Sequence, residues 1–194
     1  WNRVLNVGTS LNSVHFINDM TGVVCGNFGT LMKTTNGGIN WMPLVSGLTG
    51  AISDVVLLSP QIILASSGSS EVIMRSSDGG INWSALINGS STYRIANFSF
   101  PSDSIGFAIT DGTNYNLLTR LHKTTNRGTT WQQVQIYSCG NWTEFVDNQN
   151  GWICASSNAI GLSLHIKKTS NGASGWEPGY YINVPNEINS KIFV

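Results

Sequence analysis

The sequence predicts an all-β protein, an incomplete segment of a six- to eight-bladed β-propeller built of four-stranded antiparallel blades. One observation is an eight-residue motif that recurs four times, each copy ending in Trp. The second is that short alternating apolar segments recur in the same order around every copy, while no stretch has helical periodicity. The third is the spacing of the motif tryptophans, 42, 48 and 45 residues, which is typical of propeller blades. The motifs, here called boxes 1 to 4, are TTNGGINW (34–41), SSDGGINW (76–83), TTNRGTTW (124–131) and TSNGASGW (169–176).

Each repeat contains the same predicted elements in the same order. SVHFINDMTGVVCG (13–26) indicates a short strand, a polar turn ending in Gly and a second strand, and 98–110 and 142–155 follow the same plan. A third strand then enters the box, and a fourth follows the box Trp. The predicted blades are residues 10–46, 47–89, 90–137 and 138–184. A lone fourth strand is expected at 1–9 and a lone first strand at 187–194, so further blades or a partner chain are expected at both ends.

The boxes resemble a known repeat. Their pattern, S/T-x-D/N-x-G-x-x-W, is similar to the Asp-box or BNR repeat, and residues 11–41 resemble the photosystem II stability/assembly factor-like propellers. The resemblance covers essentially the whole chain. It implies that each box is the turn between the third and fourth strands on the outer rim of a blade.

The box residues are expected to be structural. The Asn or Asp at the third position can bond nearby backbone N–H groups, Gly at the fifth can adopt left-handed dihedrals, and Trp can cover the turn. Trp41, Trp83 and Trp131 are therefore expected to be buried. Ala173 replaces the Gly in box 4, so that turn is expected to be strained or differently shaped, and Trp176 to matter less. The structural residues are Thr34, Asn36, Gly38, Trp41, Ser76, Asp78, Gly80, Trp83, Thr124, Asn126, Gly128, Trp131, Thr169, Asn171 and Trp176.

Composition excludes some partners. Only 10% of residues are charged, and ten basic residues balance ten acidic ones. The chain therefore lacks the basic footprint of a nucleic-acid-binding protein. No apolar run reaches the roughly 20 residues that a transmembrane helix requires. An uncharged polar surface suits a secreted or cell-surface protein, with the periplasm or thylakoid lumen as alternatives.

Catalytic and metal-binding patterns are weak, and we expect no cofactor, no metal and no enzymatic activity. Sialidases, which share the Asp-box, need an arginine cluster, a tyrosine nucleophile and paired carboxylates. The five arginines are scattered, and Arg75 lies beside a box. His15, His122 and His165 have no zinc-like spacing. The loop 111–116 offers Asp and Asn oxygens, but a polar loop explains it better than calcium does.

Cysteines and glycosylation motifs leave the compartment open. Cys25 and Cys154 occupy equivalent positions in different repeats, so they are expected to act as small buried hydrophobic residues, and Cys139 is the odd one. Asn88, Asn97 and Asn141 are possible glycosylation sites, and Asn82 is a crowded fourth.

Partner specificity is expected in the variable segments, because the repeated residues maintain the scaffold. These segments are the links 46–53, 88–95 and 137–142, and the insertion 110–120 between a second and a third strand. Tyr93, Arg94, Tyr115 and Trp142 are the residues there best suited to anchor a protein or glycan.

The favoured function is a non-enzymatic, extracytoplasmic binding or structural module. The alternatives are an assembly or stability factor for a membrane protein complex such as photosystem II, and a sialidase-like glycoside hydrolase. The photosystem-type factors bind through an arginine-rich patch, which this sequence does not have.

Overall fold

The computed structural model describes residues 8–88, 92–112, 118–138, 142–157, 163–177 and 180–183. Regular structure in these residues consists of sixteen strands, which form four antiparallel sheets of four. In every sheet the strands pair in chain order, so each sheet is a meander. Within the described ranges, no helix is long and apolar enough to cross a bilayer.

The four sheets are called blades 1 to 4. Blade 1 comprises β1 (Leu11–Phe16), β2 (Gly22–Gly26), β3 (Leu31–Thr34) and β4 (Met42–Pro43). Blade 2 comprises β5 (Ile52–Leu57), β6 (Ile63–Ser67), β7 (Val72–Ser76) and β8 (Ser84–Asn88). Blade 3 comprises β9 (Tyr93–Ser99), β10 (Gly106–Gly112), β11 (Leu118–Thr124) and β12 (Gln132–Ser138). Blade 4 comprises β13 (Trp142–Phe145), β14 (Gly151–Ser157), β15 (Ser163–Thr169) and β16 (Tyr180–Asn183).

A recurring Phe–Gly pair closes the turn between the first and second strands. A Cβ added to Gly22 would lie 2.7 Å from the Phe16 ring, and one added to Gly151 would lie 2.4 Å from the Phe145 ring. Gly106 and Phe100 form the same pair in blade 3. Because any side chain would clash with the ring, only Gly lets the ring cover the start of the second strand.

The blades pack face to face. We call the side of a blade that packs on the preceding blade its near face, and the side that packs on the following blade its far face. Alternation along the strands separates the two faces and makes both apolar. The cluster between blades 1 and 2 contains Val23, Cys25 and Leu31 from one far face and Ile52, Val55, Leu57, Ile63 and Ala65 from the next blade. Equivalent clusters lie between blades 2 and 3 and between blades 3 and 4.

The first strands β1, β5, β9 and β13 contact one another in succession. Within the part of the chain that the structure describes, no comparable contact joins β13 back to β1. The four blades therefore form an open series and not a closed ring. The lone terminal strands predicted at 1–9 and 187–194 fall outside the described residues, except for a bend at 8–9. The insertion at 110–120 does join a second and a third strand, β10 and β11.

Candidate functional site

The four boxes share one hydrogen-bond pattern. In box 1, Thr34 Oγ1 accepts from Gly38 N at 2.9 Å and donates to Asn36 Oδ1 at 3.0 Å, and Asn36 Oδ1 accepts from Asn40 N at 2.9 Å. Boxes 2, 3 and 4 repeat these three bonds from Ser76, Thr124 and Thr169. The hydroxyl and the Asx side chain are thus occupied in holding the turn.

Box 4 keeps the same shape, so of the two expected outcomes, a strained turn or a differently shaped one, the structure shows the strained turn. Ala173 has φ 69°, in the left-handed region that Gly38, Gly80 and Gly128 occupy in the other boxes. Its N–H still donates to Thr169 Oγ1 at 3.2 Å. The side chain of Ala173 is buried in the cluster between blades 3 and 4, and that burial offsets the strain of a left-handed alanine.

The box tryptophans are half-buried, and the expectation of full burial is wrong because the turns lie on the rim. Trp83 and Trp131 donate from Nε1 to Gly80 O at 3.0 Å and to Gly128 O at 3.2 Å. Trp83, Trp131 and Trp176 each pack on the cluster shared with the preceding blade. Trp41 contacts Phe16 edge-on within blade 1, and its buried Nε1 has no hydrogen-bond partner. Within the described residues, Trp41 therefore lacks the inter-blade packing of the other three box tryptophans, and the smaller importance expected of Trp176 stays a prediction.

The cation directly before each of boxes 1, 2 and 3 connects its blade to the following blade. Lys33 Nζ donates to Pro60 O at 2.6 Å and to Gly79 O at 3.3 Å. Arg75 Nε donates to Arg127 O at 3.2 Å, and Lys123 Nζ donates to Gly172 O at 2.9 Å. The acceptors Gly79, Arg127 and Gly172 all occupy the fourth position of the next box. Sequence reasoning noticed the cation column but missed its role, which recurrence of a cation at that position could have suggested.

The first strands are also joined by hydrogen bonds from side chains. Asp54, on β5, accepts from Ser13 Oγ at 2.6 Å and from Phe98 N at 2.7 Å, so it connects blades 1, 2 and 3. His15 Nδ1 accepts from Leu57 N at 3.3 Å. Burial raises the pKa of Asp54 and lowers that of His15, because both charged forms are desolvated.

Asn97 performs the same connection between blades 3 and 4. Its Nδ2 donates to Thr143 O at 2.8 Å, and its Oδ1 accepts from Thr143 N at 3.0 Å. The side chain is buried. Asn97 is therefore not a glycan acceptor in the folded chain, contrary to the sequence prediction. The side chain of Asn88 and all of Asn141 lie outside the described residues.

The turns between second and third strands lie beside the links between blades, at one end of the strands. We call this end the link face; it comprises 27–30, 44–51, 68–71 and the start of β9. A polar cluster lies on it. Glu71 is buried and accepts from Arg120 Nη1 at 2.9 Å, while its other oxygen lies 3.1 Å from His122 Nε2. The Arg120 guanidinium stacks on the Tyr93 ring, 3.9 Å from its centroid. Burial lowers the pKa of His122. Glu71 comes from blade 2 and the other three from blade 3, so sequence spacing gave no signal of this cluster.

The structure brings together only some of the predicted partner residues. Tyr93 is half-buried in the link-face cluster, and Arg94 beside it is exposed. Trp142 is 48% exposed on β13, at the open side of blade 4, and it makes no ring contact with Tyr93 within the described ranges. Tyr115 lies outside those ranges.

The cysteines and the metal-ligand types carry no chemistry that we detect. Cys25 and Cys154 are free thiols in blades 1 and 4, and burial raises the pKa of both. Cys25 is buried, as predicted, but Cys154 is only half-buried. Cys139 is outside the described residues. Among the residues that are described, no three His, Cys, Asp or Glu side chains are grouped to hold a metal ion.

Comparison with known proteins bears on the fold. No protein-family model matches the chain, and no curated protein matches it in sequence. The chain is similar to the GH74 enzyme of Niastella koreensis, with a TM-score of 0.68 and 17% identity over 84% of this chain and 28% of that one. It is also similar to YCF48 of Cyanidioschyzon merolae, with a TM-score of 0.60 and 16% identity over 91% and 62%. For YCF48 bound to a D1 peptide the TM-score is 0.50, with 16% identity over 89% and 67%.

The chain is a β-propeller segment. The propeller neighbours and the four-stranded antiparallel sheets together confirm the predicted fold class. The chain spans about 28% of the GH74 enzyme that it matches. At identities of 16–17% across these matches the likeness concerns architecture, and one such scaffold supports many activities.

Proposed function

We propose that this chain is a non-enzymatic binding module that holds a protein partner on its link face. The observation that carries the proposal is the stack of Arg120 on Tyr93, fixed from beneath by buried Glu71. The Arg120 side chain remains 31% exposed. A guanidinium held flat against an aromatic ring loses little entropy on binding, and Tyr and Arg dominate interface hot spots.

Five of the described carboxylates support a non-enzymatic role. Asp54 and Glu71 are bonded to groups of neighbouring blades, Asp78 and Asp147 cap turns, and Asp103 pairs with Arg127. Each therefore has a structural task. A glycosidase instead needs two carboxyl groups directed at one bond.

The partner class follows from the chemistry of the stack. A guanidinium beside an aromatic ring favours carboxylate and backbone carbonyl oxygens next to apolar side chains, which a peptide segment supplies. YCF48, a propeller of similar fold, has been solved with a D1 peptide bound. An assembly role for a membrane complex would be one form of this activity. The low charge of the chain favours a location outside the cytoplasm.

Selection of peptides from a random display library tests the proposal. We expect binders whose affinity falls about tenfold in Tyr93→Ala, as for a moderate hot spot. Ile81→Ala is the matched control, because Ile81 is 80% exposed in box 2, at the other end of its strand from the link face. Circular dichroism would verify that both variants fold. Equal loss in both variants, or none in either, would contradict a link-face site.

Hydrolysis is the second candidate, and one observation favours it. Glu144 lies on β13 and has a raised pKa, first through desolvation and also through the charge of Asp54. A carboxyl group with a raised pKa can serve as a general acid. Turnover of a glycoside that disappears in Glu144→Gln would replace the binding proposal with this one.

A further inference from the structure

The near face of blade 1 exposes apolar side chains that the other blades bury. Leu11, Val14 and Phe16 on β1 are 42%, 59% and 41% exposed. The two blades can be aligned by the pairing of their first and second strands, in which Phe16 and Leu57 each lie opposite the first residue of the second strand. In this alignment the counterparts in blade 2 are Ile52, Val55 and Leu57, which are 0%, 2% and 1% exposed. The blade 2 residues are covered by the far face of blade 1. The near face of blade 1 therefore has the composition of an inter-blade contact without a blade on it.

The far face of blade 4 is open in the same way. Trp152, Cys154 and Ile166 are half-buried on β14 and β15. Their counterparts in blade 3, Phe107, Ile109 and Leu121, are completely buried against blade 4. The Phe107 ring stacks on the Phe145 ring of blade 4, 3.5 Å between centroids.

The polar groups of the two open faces are also complementary. Lys168 directly precedes box 4, as Lys33, Arg75 and Lys123 precede boxes 1 to 3, and within the described ranges its Nζ has no acceptor. The carbonyl of Gly37, at the fourth position of box 1, is the acceptor that such a cation uses in every other box, and no described group donates to it.

The first strands of blades 1 and 4 carry a second complementary donor and acceptor. His15 and Ser99 accept from the N–H groups of Leu57 and Phe145 in the following blades. Glu144 occupies the corresponding acceptor position in blade 4, and Phe16 occupies the corresponding donor position in blade 1. A far face of blade 4 placed on a near face of blade 1 would thus complete both types of bond found at the internal contacts.

We propose that two copies of this chain associate head to tail, with the far face of blade 4 of one copy packed on the near face of blade 1 of the other. The occupant is a second copy because the far face of blade 4 carries the cation and the acceptor, and the near face of blade 1 the carbonyl and the N–H, that pair at the internal contacts. If two far faces paired, Lys168 of one copy would lie against Lys168 of the other. If two near faces paired, both Gly37 carbonyls would lack a donor. A head-to-tail contact either closes into a ring or propagates, depending on the rotation between copies.

Sedimentation velocity over a concentration series tests the proposal. We expect the unmodified chain to associate, and we expect Val14→Asp and Lys168→Glu each to weaken association at least about tenfold. Ile81→Asp is the control, because Ile81 is 80% exposed in box 2 of blade 2, a blade whose two faces are both covered by neighbouring blades. Thermal unfolding followed by circular dichroism would verify that all three variants fold.

Mixing the two variants gives the decisive measurement. Val14→Asp retains an intact far face and Lys168→Glu an intact near face, so an equimolar mixture should form a heterodimer that neither variant forms alone. An unmodified chain that stays monomeric throughout the series would overturn the proposal. Undiminished association of the Lys168→Glu variant by itself would also overturn the proposal, because the copies would then associate through two near faces.

Discussion

Asp78 supplies a carboxylate at the third position of box 2, which Asn occupies in the other three boxes. It accepts from Asn82 N at 2.9 Å and from Ser76 Oγ at 2.8 Å. The hydrogen bonds from the backbone and side chain of Asn82, followed by that from Ser76, lower its pKa from 3.8 to about 2. Since the folded pKa is below the ordinary value, Asp78 stabilises the fold above pH 3.8, and this contribution is lost as the pH falls toward 2.

We expect Asp78→Asn to flatten the acid limb of the stability profile. Asn keeps the acceptor oxygen but does not titrate, so the urea midpoint should fall less between pH 4 and pH 2 than in the unmodified chain. Asn36→Asp in box 1 is the reciprocal variant and should acquire an additional acid dependence. Identical acid limbs in all three proteins would show that the box carboxylate is not linked to folding.

His15 is the second titrating residue whose role the structure defines. Its Nδ1 accepts a backbone N–H, which requires an unprotonated nitrogen, and burial lowers its pKa below 6.5. The unfolded chain therefore binds a proton more readily, and His15 reduces stability as the pH falls below 6.5.

Replacement of His15 by Gln should reduce that pH dependence. The Gln carbonyl can accept from Leu57 N but does not titrate, so we expect a smaller loss of unfolding free energy between neutral pH and the folded pKa. Chemical denaturation at several pH values measures this. His122 also has a lowered pKa, so His122→Gln is the comparison that separates the two histidines. A slope unchanged in His15→Gln would refute the assignment.

At the scale of the element, the box turn has two functions. Its hydroxyl and Asx side chains hold the turn, and its fourth carbonyl receives the cation of the preceding blade. The fourth residue also donates its N–H to the turn between the first and second strands of its own blade, as Gly79 N does to Gln61 O at 2.8 Å. The N–H of the fourth residue thus fixes the turn within its own blade, while its carbonyl fixes that blade to the preceding one.

The cation column allows a matched comparison of two lysines. We expect Lys33→Met to lower the unfolding free energy by about 1.5–3 kcal/mol, because hydrogen bonds from a charged group are lost at a buried site. Lys168→Met should change the stability of the monomer by less than about 0.5 kcal/mol, because no described acceptor is lost. Equilibrium denaturation of both variants at low protein concentration provides the measurement. Equal effects would show that the cations do not act through the next box.

At the scale of the whole molecule, stability is distributed along a series of blades. Blades 2 and 3 are covered on both faces, whereas blade 1 is open on its near face and blade 4 on its far face. In repeat architectures each unit is stabilised mainly by its neighbours, so the end units open first.

Hydrogen–deuterium exchange should reveal this gradient. We expect slower exchange for amides of β6 and β10 than for the equivalent amides of β2 and β14. Lys168→Glu is the appropriate protein for the measurement, because its end faces should remain uncovered. Uniform protection across the four blades would instead indicate that the chain opens as one cooperative unit.

Local chemistry explains why so much of the fold is readable from the sequence. Strand alternation, Gly before the second strand and the Ser/Thr–Asx–Gly order of the boxes are each set within about ten residues. The burial of Trp41 and the shape of box 4 were not predictable in this way. Trp41 depends on whether a blade precedes it, and Ala173 depends on the cluster into which its methyl group packs.

The sequence by itself determined the strand order, the period of the repeat and the turn chemistry, because these depend on neighbours along the chain. Only the tertiary structure decided which side chains meet between blades. Glu71 lies 49 residues from Arg120, and Asn97 lies 46 from Thr143, and both pairs form because one blade packs on the next in a fixed register. The same packing determines exposure: Val14 and Val55 are equivalent in the repeat, yet one is open and the other covered, because only the second has a blade before it.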